Sequence, residues 1–122
     1  MRESEDSTIS RLVRRVTLGV TAGDVNLARS LGFESYLNQQ LNYQRIDDSV
    51  CEAFVAEKWP LLAQTSDQLF SANAGTVKSQ LQEAPIYRAA FSQRQLYHRM
   101  VELWSDHFNQ DVDKVGYLLV AD

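Results

Sequence analysis

The chain has 122 residues, 44% of them hydrophobic and 23% charged, with a formal net charge of −4 at pH 7. This length suits one soluble domain with a single core, and the acidic balance argues against a general nucleic-acid binder. One cysteine, Cys51, excludes an internal disulfide and a cysteine-based structural zinc site. The polar start has no signal-peptide h-region, and no later run approaches the ~18 apolar residues of a membrane span.

Three short amphipathic helices are predicted before residue 42. The first is capped by Ser7 or Thr8 and ends near Gly19. The second begins after Thr21, whose side chain is a typical N-cap, and stops at Gly32, where the third begins at a bend. Apolar residues recur at helical spacing in all three. These residues are Ile9, Leu12, Val13 and Val16, then Val25, Leu27, Ala28 and Leu31, then Phe33, Tyr36, Leu37 and Leu41.

The middle of the chain predicts further helices with less regular patterns. Asp47 or Asp48 is expected to cap a fourth helix, which must end before Pro60 because the residue before a proline avoids the α region. A fifth helix is predicted over residues 61–70, and the small, polar residues 71–75 are typical of a loop. The next helix covers residues 77–84, and Pro85 either kinks it or begins another one.

A long amphipathic helix near residues 93–109 is the clearest predicted element. Ser92 and Gln95 have the spacing of a capping box. One face is apolar and is expected to be buried, with Trp104 as an anchor of the core. That face carries Leu96, Met100, Leu103, Trp104, His107 and Phe108. With no alternating strand pattern, the chain is predicted to be all-α, an irregular array of about six or seven helices.

The two histidines are the first candidates for chemistry. His107 lies on the apolar face, where it is either a ligand or acid/base group or, as we favour, a core histidine with a hydrogen-bonded partner. His98, Glu102 and Asp106 share the opposite face at i, i+4 and i+8, a weak candidate metal site. The favoured interpretation of that row is a solvated charged surface, which is the usual role of charges on the wet side of an amphipathic helix.

Other motifs indicate no specific function. Arg11, Arg14 and Arg15 form a basic edge that suits carboxylate or phosphate recognition, although pairing with nearby acidic residues or plain exposure is favoured. Residues 109–113 begin like a calcium loop, but the glycine and the final glutamate of an EF-hand are missing. Cys51 stands beside Glu52, which raises a thiol pKa, so we expect a buried apolar side chain rather than a nucleophile.

Four segments taken in order resemble the bacterial family called domain of unknown function 1800. The first is LVRRVTLG over residues 12–19, and the second is LGFESYLNQQL over residues 31–41. The third is SQRQL over residues 92–96, and the fourth is MVELWSDHFN over residues 100–109. Departures from the family pattern include Leu103 where phenylalanine is usual and Asp106 where asparagine is common. The resemblance covers residues from about 9 to 122.

The resemblance implies a mainly helical protein several hundred residues long, so we expect this chain to be its N-terminal portion. Such proteins are often exported by bacteria and often encoded beside a protein of a second uncharacterised family related to alkaline phosphatases. The resemblance implies no established activity and transfers no catalytic residue. It marks Trp104, His107 and Phe108 as the motif positions most worth testing.

The sequence thus predicts one helical domain over residues 1–122, or a fragment of a larger helical protein, without a cofactor. Its expected function is a non-catalytic packing or protein-interaction module. The partner is the missing C-terminal region or another protein, with the alkaline-phosphatase-related neighbour as one candidate. By itself, the chain is expected to expose apolar surface and self-associate. The alternative is a metal or acid/base site that includes His107 and is completed by the C-terminal region. The sequence does not indicate the cellular compartment of the protein.

Overall fold

The fold is an array of short helices, seen in a computed structural model that describes residues 2–108, with side chains from residue 3 onward. This part of the chain contains seven α-helices, two short 3-10 helices and no strand, so the predicted all-α class is confirmed. The α-helices are α1 Arg2–Val16, α2 Ala22–Leu31, α3 Phe33–Leu41, α4 Ser49–Lys58, α5 Ser66–Leu69, α6 Ala74–Phe91 and α7 Gln95–His107. The 3-10 helices are Tyr43–Arg45 and Pro60–Ala63. The motif at residues 109–113 and the residues after it lie outside the described part of the chain.

The corner between α2 and α3 forms as the sequence predicts. The Thr21 hydroxyl oxygen accepts a hydrogen bond from the backbone N–H of Asp24 at 3.1 Å, which satisfies one free donor of the first turn. Gly32 ends α2 with a φ of 84° and serves at the same time as the N-cap of α3. This positive φ is unfavourable for residues with a Cβ, so the bend depends on a glycine.

Several predicted helix boundaries are wrong. Helix α1 begins well before Ser7 and Thr8, because Glu3 and Glu5 give its first turn the negative charge that a helix N-terminus favours. The Thr8 hydroxyl therefore donates to the Ser4 carbonyl one turn earlier, at 2.8 Å, instead of capping the helix. The helix predicted over residues 61–70 is divided, since the cap at Thr65 starts a new short helix, α5.

Pro85 lies inside the continuous helix α6 rather than at a helix start. It removes one backbone donor but leaves a helix of 18 residues, the longest in the described chain. Asn73 caps this helix by accepting a hydrogen bond from the Thr76 N–H at 3.1 Å. Because the helix begins directly after Asn73, the predicted loop over residues 71–75 is shorter than expected.

The buried apolar residues form two clusters. The first core cluster joins α1, α2 and α3, and Val13 and Tyr36 are fully buried in it. Leu96, in the first turn of α7, packs against this cluster. The second core cluster joins α4 to α6 and consists of Cys51, Val55, Trp59 and Ala84, with Leu62 and Tyr87 packed against it. Helix α7 contacts both α3 and α6, so its beginning lies where the two halves meet.

Polar side chains fix the start of α7 at this junction. The Gln95 side chain accepts from the Leu18 N–H at 3.1 Å and donates to the Ser92 carbonyl at 2.7 Å. The Arg99 guanidinium donates to the Thr17 carbonyl at 3.1 Å. The predicted capping box is not formed, because the Ser92 hydroxyl accepts from the Arg94 N–H and α7 begins only at Gln95. No helix between residues 2 and 108 is both long and apolar enough to cross a bilayer.

Candidate functional site

A polar cluster of Asp48, Glu52 and His98 lies at the junction of α4 and α7. Each side chain offers one potential ligand atom, and these three atoms lie within 4.8 Å of one another. Asp48 is the N-cap residue of α4 and Glu52 follows one helical turn later, so both carboxylates lie on the same side of that helix. His98 reaches them from the first turn of α7. Across residues 3–108, this is the one group of three such side chains that converges.

Asp48 is buried and holds the chain that leads into α7. Its Oδ2 accepts a hydrogen bond from the Ser92 hydroxyl at 2.5 Å, and its Oδ1 accepts from the Gln93 N–H at 2.8 Å. Asp47 or Asp48 was predicted to cap α4. Asp48 occupies the N-cap position, but its side chain makes no capping bond to α4. The carboxylate instead satisfies donors 44 and 45 residues away along the chain.

Glu52 is paired with an arginine on α6. The Arg88 guanidinium donates from Nε and from one terminal nitrogen to the two oxygens of Glu52, at 3.1 and 3.0 Å. This two-point geometry fixes the carboxylate more firmly than a single contact does. Both side chains are partly exposed, at 28% for Arg88 and 42% for Glu52, so water screens the pair and its contribution to stability is modest.

The His98 imidazole is the unsatisfied member of the cluster. Its Nε2 is buried and has no hydrogen-bond partner among the described residues. Burial in the junction lowers the pKa of His98, and the nearby Arg88 charge lowers it further. The imidazole is therefore mainly neutral at pH 7, the form in which a ring nitrogen can bind a metal ion. A buried nitrogen without a partner is costly, so it marks a place where a ligand would be accommodated.

A second feature is the apolar face of α7, which the described part of the chain leaves uncovered. A shallow groove on this helix is lined by Tyr97, Met100, Val101, Trp104, Ser105 and Phe108. The exposed fraction is 50% for Trp104 and 67% for Phe108, and their rings stack with centroids 5.8 Å apart. Large apolar surfaces of this kind mark sites of interaction more often than scattered exposed residues do.

The expectation that this face is buried is wrong for the described residues. Trp104 does not anchor either core cluster, and His107 is exposed, with ring contacts to Trp104 and Phe108 on its own helix. The reason is geometric. Helices α1, α3 and α6 pack against the beginning of α7, where Leu96 and Gln95 lie, and every residue from 99 to 108 is exposed.

The other residues that the sequence predicted as site residues do not belong to the polar cluster. Glu102 and Asp106 are exposed, and His98 converges with Asp48 and Glu52 instead of with them. Arg11, Arg14 and Arg15 are exposed on α1, and the ion pair described for that region joins Asp6 to Arg29 at 3.3 Å. The predicted basic patch therefore stays a prediction.

Cys51 lies buried in the second core cluster. Burial and the charges of Asp48 and Glu52 raise the pKa of its thiol to about 11. A thiol with so high a pKa carries little of the reactive thiolate at neutral pH. Both observations fit the predicted role as a small buried apolar side chain.

The sequence analysis missed Asp48 and Glu52 as partners of His98. Their spacing of four residues was a signal, because it brings two carboxylates together on a helix surface. Nothing local indicates that His98, 46 positions after Glu52, would join them.

The comparisons with known proteins identify a family but no activity. Neither a curated protein nor a solved structure matches the chain. The family model described as "Protein of unknown function (DUF1800)" matches residues 11–121, which is nearly the whole sequence and includes both the polar cluster and the apolar face of α7. The chain therefore belongs to the DUF1800 family, as the resemblance of its four sequence segments implied.

Proposed function

We propose that this chain is a non-catalytic helical packing module, the N-terminal part of a longer bacterial protein. In this proposal, the apolar face of α7 receives an apolar segment of the same protein. The observation that carries it is the row of exposed residues on that face, with Met100, Trp104 and Phe108 exposed by 41%, 50% and 67%. Covering such side chains gains free energy in proportion to the apolar area removed from water.

The proposed occupant is the chain segment that follows α7, so this proposal departs from the expectation that the chain by itself exposes apolar surface and self-associates. Residues 109–114 are mostly polar, and residues 115–120 read VGYLLV, an almost entirely apolar stretch. Seven residues, 108–114, lie between the end of α7 and position 115, which is within the usual length of a link between packed elements. A segment tethered so closely also has a high effective concentration at the face, which favours it over a separate molecule. The alternatives, a second copy of the chain or another protein, are therefore outcomes that the tests must detect.

Quenching of Trp104 fluorescence by acrylamide tests this proposal. Phenylalanine at position 59 removes the other tryptophan, so the remaining signal belongs to Trp104 alone. We expect Trp104 to be protected in this Trp59→Phe chain and to become quenchable when Leu118→Ser and Leu119→Ser are added. The reason is that two serines remove the apolar side chains that cover the indole.

A matched control is Val50→Ser, which removes an apolar side chain that is 86% exposed on α4 and should leave the quenching of Trp104 unchanged. Protection that is lost on dilution would indicate a second copy as the occupant. Equal quenching of Trp104 with and without the serines at 118 and 119 would contradict the proposed occupant.

The alternative function, a metal or acid/base site built on His107, gains no specific support from the geometry. Within the described part of the chain, His107 is outside the one converging group of potential ligands. Its neighbours Trp104 and Phe108 offer it ring edges and faces instead of carboxylates. That function stays a prediction of the sequence.

A further inference from the structure

The Nε2 of His98 is buried without a hydrogen-bond partner among the described residues, and one ring nitrogen of this side chain lies within 4.8 Å of a carboxylate oxygen of Asp48 and of Glu52. The packing role of α7 does not explain this arrangement. We propose that Asp48, Glu52 and His98 bind a divalent transition-metal ion of the zinc type at the junction of α4 and α7. A metal ion would supply the partner that the imidazole nitrogen lacks. It would also link the two helices on which the three ligands lie.

The carboxylate of Asp48 is oriented as metal ligands commonly are. Hydrogen bonds from the Ser92 hydroxyl and the Gln93 N–H hold its two oxygens. Each carboxylate oxygen has two lone pairs, so one accepted hydrogen bond leaves each oxygen able to bind an ion. Donors of this kind outside the ligand shell fix the direction of a ligand and strengthen metal sites. The side chain is also shielded, since Asp48 is only 4% exposed.

The charges around the cluster favour a cation. Asp48 and Glu52 contribute two negative charges, and Arg88 neutralises one of them through its pair with Glu52. A neutral His98 adds none, so the three ligands and Arg88 together carry one negative charge, which the nearby charge of Arg94 partly offsets. The guanidinium of Arg94 is directed to the Ile46 carbonyl at 3.0 Å rather than to the carboxylates.

The distances require a small contraction. Bonds of about 2.0–2.2 Å to zinc place tetrahedral ligand atoms about 3.3–3.6 Å apart, whereas the three atoms lie within 4.8 Å of one another. The partly exposed Glu52 side chain can rotate toward the other two ligand atoms while one of its oxygens remains on Arg88. Three protein ligands then leave a fourth position for water.

The mixture of ligands selects the type of ion. Magnesium and calcium prefer shells made only of oxygen, while an imidazole nitrogen with two carboxylates suits zinc, manganese or iron. Zinc is the most convenient probe because neither its binding nor its geometry depends on redox state. This inference is independent of the proposed packing function, since it concerns α4 and the first turn of α7 rather than the apolar face.

Calorimetric titration of the chelator-treated chain with zinc chloride tests the site. We expect about one equivalent of zinc to bind, and we expect His98→Ala to weaken binding roughly 100-fold. Glu52→Gln removes a ligand charge while keeping the side-chain shape, so it should also weaken binding even if the alanine variant folds poorly. His107→Ala is the matched control, because it removes the only other histidine, which is exposed, and should leave binding unchanged.

A second readout is the visible spectrum of cobalt(II), whose intensity reports the coordination geometry of the ion. We expect an intense four-coordinate spectrum that is lost in His98→Ala and in Glu52→Gln. Failure of the unaltered chain to bind zinc would overturn the proposal. So would zinc binding that survives both ligand substitutions, or that is lost with His107→Ala, because the ion would then lie elsewhere. Neither result would bear on the quenching of Trp104, so the two proposals fail separately.

Discussion

Replacing Trp59 by alanine is expected to destabilise the chain by about 3–5 kcal/mol, measured as the free energy of unfolding in denaturant. Trp59 is 7% exposed and belongs to the second core cluster. Its ring meets Phe54 and Tyr87 edge-on, with centroids 6.1 and 5.7 Å apart. Its Nε1 donates to a Glu83 oxygen at 2.9 Å. The substitution would leave a cavity among these rings and remove the only described contact of the indole nitrogen.

Phe70→Ala is the matched control, since that aromatic side chain is 79% exposed and its loss should change stability by less than about 1 kcal/mol. The difference between the two variants measures the contribution of burial. Equal losses would mean that Trp59 does not lie in a core. Trp59 also shares its cluster with Cys51, so a destabilised Trp59→Ala chain should expose that thiol to reagents.

Tyr36 provides the second large effect, and only one of its two substitutions should destabilise the chain. The side chain is fully buried in the first core cluster, so Tyr36→Ala should cost about 3–5 kcal/mol. Its hydroxyl is buried without a hydrogen-bond partner among the described residues. Tyr36→Phe removes that hydroxyl and keeps the ring, so the free energy of unfolding should stay equal or rise by about 1 kcal/mol.

The same residue predicts a dependence on alkaline pH. Burial, with a smaller effect of Asp24, raises the pKa of Tyr36 from 10.0 to about 12. The unfolded chain therefore loses this proton before the folded chain does, and the stability that Tyr36 contributes falls as the pH rises from 10 toward 12. The Tyr36→Phe chain should lose less stability over this interval. A marked loss of stability in Tyr36→Phe at neutral pH would show that the hydroxyl has a partner.

The helix boundaries that the sequence predicted well are those set by local chemistry. Thr21 and Gly32 act on their own or neighbouring backbone groups, so their roles depend little on the rest of the chain. The helix boundaries after Pro60 were harder to predict. The apolar residues of that segment fit a single helix, whereas the capping box of Thr65 and Gln68 starts a separate helix. These local signals favour different boundaries, and the observed boundary depends on how the 3-10 helix Pro60–Ala63 packs against α4 and α6.

The orientation of α7 could not be derived from its own pattern. Its periodicity correctly separates an apolar face from a charged one, but periodicity does not say what covers the apolar face. Leu96 packs against the first core cluster and Trp104 does not, although both belong to the same face of α7. The polar cluster could not be predicted either, because the convergence of Asp48 with His98 depends on how α4 and α7 each pack against α6.

Chemical cross-linking between α7 and the segment after it tests the central claim most directly. A cysteine at Val101, within the groove, is paired with one at Leu118, and a short bismaleimide reagent joins thiols that lie close together. Glu102→Cys with Leu118→Cys is the matched control, because residue 102 is next to Val101 in the sequence but does not line the groove. Native Cys51 stays out of the reaction, being 4% exposed with a pKa of about 11. The account predicts a link within one chain for the Val101 pair and little for the Glu102 pair; equal yields, or links between chains only, would contradict it.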